Sequence, residues 1–319
     1  MEHRRTITPL ALTTAYLGDV GIAFTPAAGH GVGTGGPGVR VERYYSNVLS
    51  SRLSAGAGAA HATSGLALAL ALALDYRTDA LTVWAQAGAL YAHDLPASGA
   101  SSPTQRLAHV GAHVRISALR SDDNRATVAW AEDNAGETSV YLDRSATGVR
   151  FDAPRLLERF RDPDGLSSPP GSPTLVRLST ESVMLAWAGA SNGRWVVRTA
   201  AVNATGVGNA NTIATPGEDA LLAAFAPGPA GEALALWSEP QQTGGGSPDT
   251  SRQAIFSARG IDVSAGRTRF SAPELLAPPG PNSDATVALD PGNDAAIAAW
   301  RGEGGQVHYA IRSALAAAR

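Results

Sequence analysis

Histidine, carboxylate and arginine side chains collect in uneven, turn-rich segments of this chain. His30 lies in TPAAGHGVGTGGPG, His61 in AGAGAAHATSG, and His109 and His113 in AHVGAH. Glu132 and Asp133 lie in AEDNAGET, Asp219 in TPGEDA, and Arg301 and Glu303 in RGEGG. Imidazoles brought together from separate loops could hold a metal or exchange protons near neutral pH. Paired carboxylates could serve as acid and base, or acid and nucleophile, on a glycosidic bond. Acidic groups with an arginine also suit a sugar ligand. The histidines show no local ligand spacing. His109 and His113 are four apart, but no helix is expected there. No metal and no cofactor is therefore expected. Gly31, Gly33 and Gly36 match the letters of a dinucleotide-binding turn, yet Pro37 and a strand pattern follow them. That site needs a helix N-terminus at the pyrophosphate, so the match is read as a loop.

Composition narrows the function classes. The chain has 319 residues and a net charge of −3. Its basic residues are all arginine, with neither a basic stripe nor a basic tail, which argues against a nucleic-acid partner. There is no cysteine, which excludes disulfide and thiolate chemistry. The first ten residues, MEHRRTITPL, carry charge without an apolar core behind them, so no signal peptide is read there. An extracellular or cell-envelope location is favoured from the low charge and the Ser, Thr and Gly content, and a monomer is expected.

What must position these side chains is a repeat. Six segments end on an aromatic residue: YLGDVGIAF at Phe24, RTDALTVW at Trp84, NRATVAW at Trp130, ESVMLAW at Trp187, GEALALW at Trp237 and NDAAIAAW at Trp300. They recur at intervals of roughly 50 residues, the scale of one sheet of a repeat protein. Each follows an apolar run across a polar turn and precedes another run; a weaker fourth run follows in all but the last unit. The clearest first run is LALALALALDY, with Leu66, Leu68, Leu70, Leu72 and Leu74 at every second position. A period of two puts leucine on one face of a strand and alanine on the other; on a helix it would scatter leucine around the circumference. The run is also too short for a membrane helix. Four short strands per unit, six times over, give an all-β, six-bladed β-propeller. The blades are expected at 9–54, 64–110, 112–160, 172–216, 219–278 and 284–319, with 3–8 closing the ring. Arg4–Thr8 is expected to supply the outer strand that the last unit lacks, which would remove two exposed sheet edges.

Strand order places all nine candidate residues at one end of the sheets. That end also receives the loops from each outer strand to the next inner strand. Ligand sites on such folds favour the channel mouth there. The once-per-unit Trp84, Trp130, Trp187, Trp237 and Trp300 are expected to pack between blades rather than to form a sugar-stacking ring. Arg144, Arg198, Arg259 and Arg312 each lie three residues after an aromatic of the third run, and a shared structural position is expected for them.

Two units resemble the Asp-box repeat of sialidase-type propellers. They are VYLDRSATGVRFDAPRLL (Val140–Leu157) and IFSARGIDVSAGRTRFSAPELL (Ile255–Leu276). Ser145, Gly148 and Phe151, and Ser264, Gly266 and Phe270, keep part of that turn, while its aspartate is missing and the spacing is one residue short. The resemblance implies a propeller and a structural role for the turn. The family's arginine triad and Tyr-Glu pair find no matching positions, so no catalytic residue carries over. The expected function is a non-enzymatic binding propeller, holding a glycan, small molecule or protein. The alternative is a glycan-acting hydrolase or lyase using the carboxylates or histidines named above.

Overall fold

The structure is a computed structural model. It describes four backbone strands between residues 10 and 55 and most of 69–312. Short stretches such as 76–78, 97–101, 164–170, 214–217, 243–247, 264–266 and 290–294 are excepted. The regular elements among the described residues are strands, apart from 3-10 turns at Gly231 and at Glu303–Gly305. Contacts divide the chain into two compact units, one of 1–135 and 139–157, the other of 136–138 and 158–319.

Twenty-five strands form six antiparallel sheets among the described residues. Sheet one is β1 (Leu10–Thr14), β2 (Val20–Phe24), β3 (Val39–Tyr45) and β4 (Val48–Ala55). Sheet two is β5 (Ala69–Leu74), β6 (Ala80–Gln86), β7 (Ala89–Leu95) and β8 (Gln105–His109). Sheet three is β9 (His113–Arg120), β10 (Ala126–Asn134), β11 (Glu137–Ser145) and β12 (Arg155–Arg161). Sheet four holds β13 (Thr174–Arg177), β14 (Ser182–Ser191) and β15 (Arg194–Asn203), with two short pieces, β16 (Gly206–Val207) and β17 (Asn211–Thr212), both on β15. Sheet five holds β18 (Leu221–Pro227), β19 (Glu232–Gln242) and β20 (Pro248–Val263), with β21 (Arg267–Phe270) and β22 (Glu274–Gly280) both pairing β20. Sheet six is β23 (Ser283–Leu289), β24 (Ala296–Arg301) and β25 (Val307–Arg312). Sheets one and two lie in the first unit, sheets four to six in the second, and sheet three contributes to both.

The leucine–alanine run forms β5 as its period dictates. Leu70, Leu72 and Leu74 oppose Trp84, Thr82 and Ala80 on β6, whereas Ala69, Ala71 and Ala73 oppose Ala85, Val83 and Leu81. The alanine face joins one core with sheet three, where Ala71 and Ala73 pack with Val114, Ile116, Val128 and Trp130. Small side chains on this face leave room for the indole of the next sheet. Sheets two, three and four turn from second to third strand through two-residue hairpins. Ala87-Gly88, Ala135-Gly136 and Asn192-Gly193 all have positive φ there, the backbone that matches strand twist.

Candidate functional site

The tryptophans are packing residues. Trp84, Trp130, Trp187 and Trp237 are at most 2% exposed and Trp300 is 8% exposed. Each lies opposite a side chain of the third strand. Trp84 stacks on Tyr91, Trp130 on Tyr141, Trp237 on Phe256 and Trp300 on His308. In sheet four the opposing residue is Arg198. Trp130 shares a core with sheet two, Trp237 with sheet four and Trp300 with sheet five, so these indoles face the preceding sheet.

A buried indole also needs an acceptor for its N–H. Trp130 Nε1 donates to Glu132 at 3.0 Å and Trp237 Nε1 to Glu239 at 2.9 Å, in each case two residues on in sequence. In sheet four that position is Gly189, and Trp187 Nε1 donates instead to Glu158 of β12 at 2.6 Å. A Cβ on Gly189 would lie 2.8 Å from that carboxylate.

Register revises the arginine reading. Tyr141 and Phe256 oppose the tryptophans of sheets three and five, which makes Arg144 and Arg259 equivalent. Arg198 instead occupies the ring position itself, over Trp187. In sheet six the residue opposite Trp300 is His308, not Tyr309, so Arg312 falls one place later than Arg259. The four arginines therefore hold three different positions. Arg259 pairs with Glu232 and Arg198 with Glu158.

His30 and His61, like Arg4–Thr8, lie outside the described residues. His109 ends β8, where Arg106 Nη2 donates to its Nδ1 at 2.6 Å. His113 begins β9 opposite Asp133 on β10. Glu132 is occupied by the Trp130 indole. Asp219 is buried and accepts the Trp195 backbone N–H at 2.8 Å, with Arg194 at 3.5 Å. Arg301 lies 3.5 Å from Asp284, and Glu303 is exposed in the turn after β24. Among the described residues no three histidine or acidic side chains converge as metal ligands. Of the Asp-box-like turns, Ser264 and Gly266 lie outside the described residues. In the other, Ser145 Oγ accepts the Thr147 N–H, and Gln105 of sheet two clamps both backbone polar groups of Phe151.

The site that sequence reading missed is a cleft of about 310 Å³ between sheets five and six. Ser238, Gln253, Ser283 and Asp284 give it polar walls; Ala223, Ile255 and Ala285 give it an apolar floor. A β-bulge in β23, between Ser283 and Thr286, builds one wall. At that bulge Asp284 has φ 51°, in the left-handed region that aspartate tolerates better than most residues. A bulge of this kind re-aims a side chain and is common beside binding sites. Arg301, a residue singled out by sequence, reaches this wall through Asp284. Only the turn-forming letters NSDA, where a strand should start, hinted at it.

A second polar cluster is closed. Arg120, 3% exposed, is held by Asp75 at 3.1 Å, by Asp79 at 3.3 Å and by Asp94. Burial outweighs the arginine and pushes the Asp94 carboxyl up to about 6. Asp143 on β11 is pushed up to about 7 by burial, with the nearby Asp152 adding to it. Its Oδ1 accepts the Arg144 N–H and its Oδ2 is buried without a partner. Burial lowers the pKa of His93, whose Nδ1 lies 2.9 Å from Thr104 Oγ1.

No protein-family profile and no curated protein sequence matches the chain. Solved structures do resemble it. A prolyl endopeptidase matches 98% of this chain over 40% of its own length, at 10% identity and a TM-score of 0.53. A polysaccharide lyase, an ulvan lyase solved with a GlcA–Rha3S unit, matches 95% of this chain over 78% of its own, at 10% identity and a TM-score of 0.52. A neuraminidase-like protein of subtype N11, from A/flat-faced bat/Peru, matches 96% over 87%, at 8% identity and a TM-score of 0.47. At such identities the first two likenesses establish the fold and nothing finer: an all-β, propeller-like arrangement of antiparallel sheets.

Proposed function

We propose that this protein is a non-enzymatic binding module that holds a polyhydroxylated ligand, a glycan segment, in the cleft between sheets five and six. One observation carries the reading. Four polar side chains converge over an apolar floor in a space of about 310 Å³, at a wall built by a strained bulge. Sugar hydroxyls pair with such groups, while the C–H face of the ring rests on Ala223, Ile255 and Ala285. The volume lies near the lower end of small-ligand sites, about 300–1,000 Å³. Asp284 is the single carboxylate among the lining residues, whereas glycoside hydrolysis needs two, about 5–9.5 Å apart. This favours binding over hydrolysis. The likeness to a polysaccharide lyase speaks to fold, so the reading rests on the cleft.

The ring proposed around this site has six blades and closes through Arg4–Thr8 pairing with β25. Two observations support it. β25 edges a sheet of three strands among the described residues. Val307, Tyr309 and Ile311 also stand exposed on it, an unusual patch for a finished surface. An exported or envelope-located monomer fits this reading. No helix among the described residues is long and apolar enough to cross a membrane.

The test is saturation-transfer NMR with a panel of neutral and acidic oligosaccharides, on the full chain and on Asp284→Asn and Gln253→Ala. Asparagine keeps the left-handed backbone while removing the charge. Saturable binding that both substitutions weaken, without turnover of the sugar, is expected. Binding that neither substitution touches would sink the assignment, and cleavage of a bound sugar would replace it with the hydrolase or lyase reading.

A further inference from the structure

The cleft between sheets five and six can be read through the balance of donors and acceptors on its lining. Register fixes which side chains of sheet five face it. Ser238 opposes Ile255 across β19 and β20, and Gln253 lies two residues before Ile255, so the three share one face. Ile255 belongs to one apolar cluster with Ala285, Val287, Ala298 and Trp300 of sheet six, which makes this the face that looks toward sheet six. The opposite wall is Ser283, Asp284 and Ala285, at the bulge of β23.

The polar groups around this space direct their donors to the protein. Gln253 Nε2 donates to the Thr250 carbonyl at 2.6 Å. A carbonyl only accepts, so the NH2 end is fixed there and Oε1 is the end left over. Ser283 Oγ donates its one proton to Asp284 Oδ2 at 3.4 Å and keeps its lone pairs. Arg301 Nε lies 3.5 Å from that same Oδ2. Asn282, beside the wall, donates its amide to the Gln253 and Pro278 carbonyls at 2.6 and 3.0 Å. Arg252, beside Gln253, turns to Gln241 Oε1 at 2.8 Å and the Pro279 carbonyl at 3.5 Å.

What remains is a set of acceptors. Among the described residues, Gln253 Oε1 and Asp284 Oδ1 receive no hydrogen bond, and Ser283 Oγ can only accept once its proton is placed. Asp284 is also the single charged residue of the lining, so the lining is negative. Arg301 stands outside the lining. It and Asp284 are 60% and 66% exposed, so solvent screens their attraction and a cationic ligand can compete for the carboxylate. A hydroxyl suits any such wall, because it both donates and accepts. An ammonium group has three donors, no acceptor and the opposite charge.

We propose that the cleft takes its glycan through a protonated amine: the ligand class is an amino sugar whose ammonium donates to Asp284 while its ring rests on Ala223, Ile255 and Ala285. This rests on the cleft being the glycan site.

The experiment follows the Gln253 side-chain amide by ¹⁵N NMR, identified from its loss in Gln253→Ala. The probes are glucosamine, N-acetylglucosamine, glucose and butylamine, below neutral pH so that both amines are charged. Glucosamine is expected to bind about tenfold tighter than glucose or N-acetylglucosamine, the scale of one charge-assisted hydrogen bond. Added salt should narrow that preference. Asp284→Asn keeps the left-handed backbone and should bring the ratio of glucosamine to glucose affinity close to one. Arg301→Gln removes the competitor and should strengthen glucosamine severalfold while leaving glucose unchanged. Butylamine should bind more weakly than glucosamine; tighter binding would assign an amine without a sugar and overturn the amino-sugar class. Glucosamine no tighter than glucose, or a preference that survives Asp284→Asn, overturns the proposal. If glucose still binds saturably when the preference fails, the cleft reading stands; if neither sugar binds, both fall.

Discussion

Sheets five and six carry the same tryptophan in the same posture and differ two residues later. Trp237 is followed by Glu239, which accepts its N–H and closes the space above it. Trp300 is followed by Gly302, and the His308 ring fills the room a side chain there would take. The lesson reaches beyond these two positions. Where polar groups are buried against one another, as around Arg120, they serve the fold; where they line an open space, as Ser238, Gln253 and Asp284 do, they are available to a ligand.

The largest expected effect tests the closed side of that contrast. Arg120→Ala leaves Asp75, Asp79 and Asp94 without their shared cation, at a cost of about 3–5 kcal/mol. Urea unfolding measures it. A cost below about 1 kcal/mol would show that this cluster is not a structural unit.

Glu239→Ala would leave the buried Trp237 indole N–H without its carboxylate acceptor. The expected loss is about 1–3 kcal/mol, read by the same unfolding curves. It should also move the Trp237 indole N–H resonance upfield, as loss of its acceptor requires. A stable variant whose resonance does not move would show that the Glu239 contact is not made in solution.

A smaller effect belongs to pH. Asp143 is held near 7, above its ordinary value. A carboxyl raised in the folded state stabilises the fold while protonated. That contribution is complete below the unfolded value of about 4 and fades as pH climbs through about 7. Asp94, held near 6, acts in the same direction over a lower window. Asp143→Asn should therefore be more stable than the parent at pH 8 by about 1–2 kcal/mol, and the advantage should vanish near pH 4. Thermal melts across that range decide it, and a pH-independent difference would contradict the assignment.

The smallest expected change in stability comes from the open side. Ser238→Ala should lie within about 0.5 kcal/mol of the parent while weakening sugar binding severalfold. Calorimetric titration against the best oligosaccharide measures the second effect. Equal affinity would remove Ser238 from the binding wall.

Much of the architecture was legible in the chain because strand faces follow a period of two. The alternation puts Leu70, Leu72 and Leu74 on one face, and their register with Trp84, Thr82 and Ala80 bears this out. The tryptophans could be read as packing residues because they recur once per unit. Register across strands was less legible, since it depends on where each hairpin turns. Trp195 looked like the counterpart of Tyr141, yet the turn at Asn192-Gly193 sets Arg198 opposite Trp187. The site was least legible. Asp284 owes its place to a bulge, and Ser238 and Gln253 reach the cleft from two strands of another sheet.

By itself the sequence determined an all-β chain of repeated antiparallel hairpins, because alternation of apolar residues is a local pattern and strand faces obey it. It also listed Gly302 where Glu132 and Glu239 stand in other units. Only the tertiary structure decided what that glycine means. At Gly189 the gap admits Glu158 from β12, at Gly302 it is filled by the His308 ring, and the cleft lies elsewhere, where residues of sheets five and six stand apart around Ser238, Gln253 and Asp284.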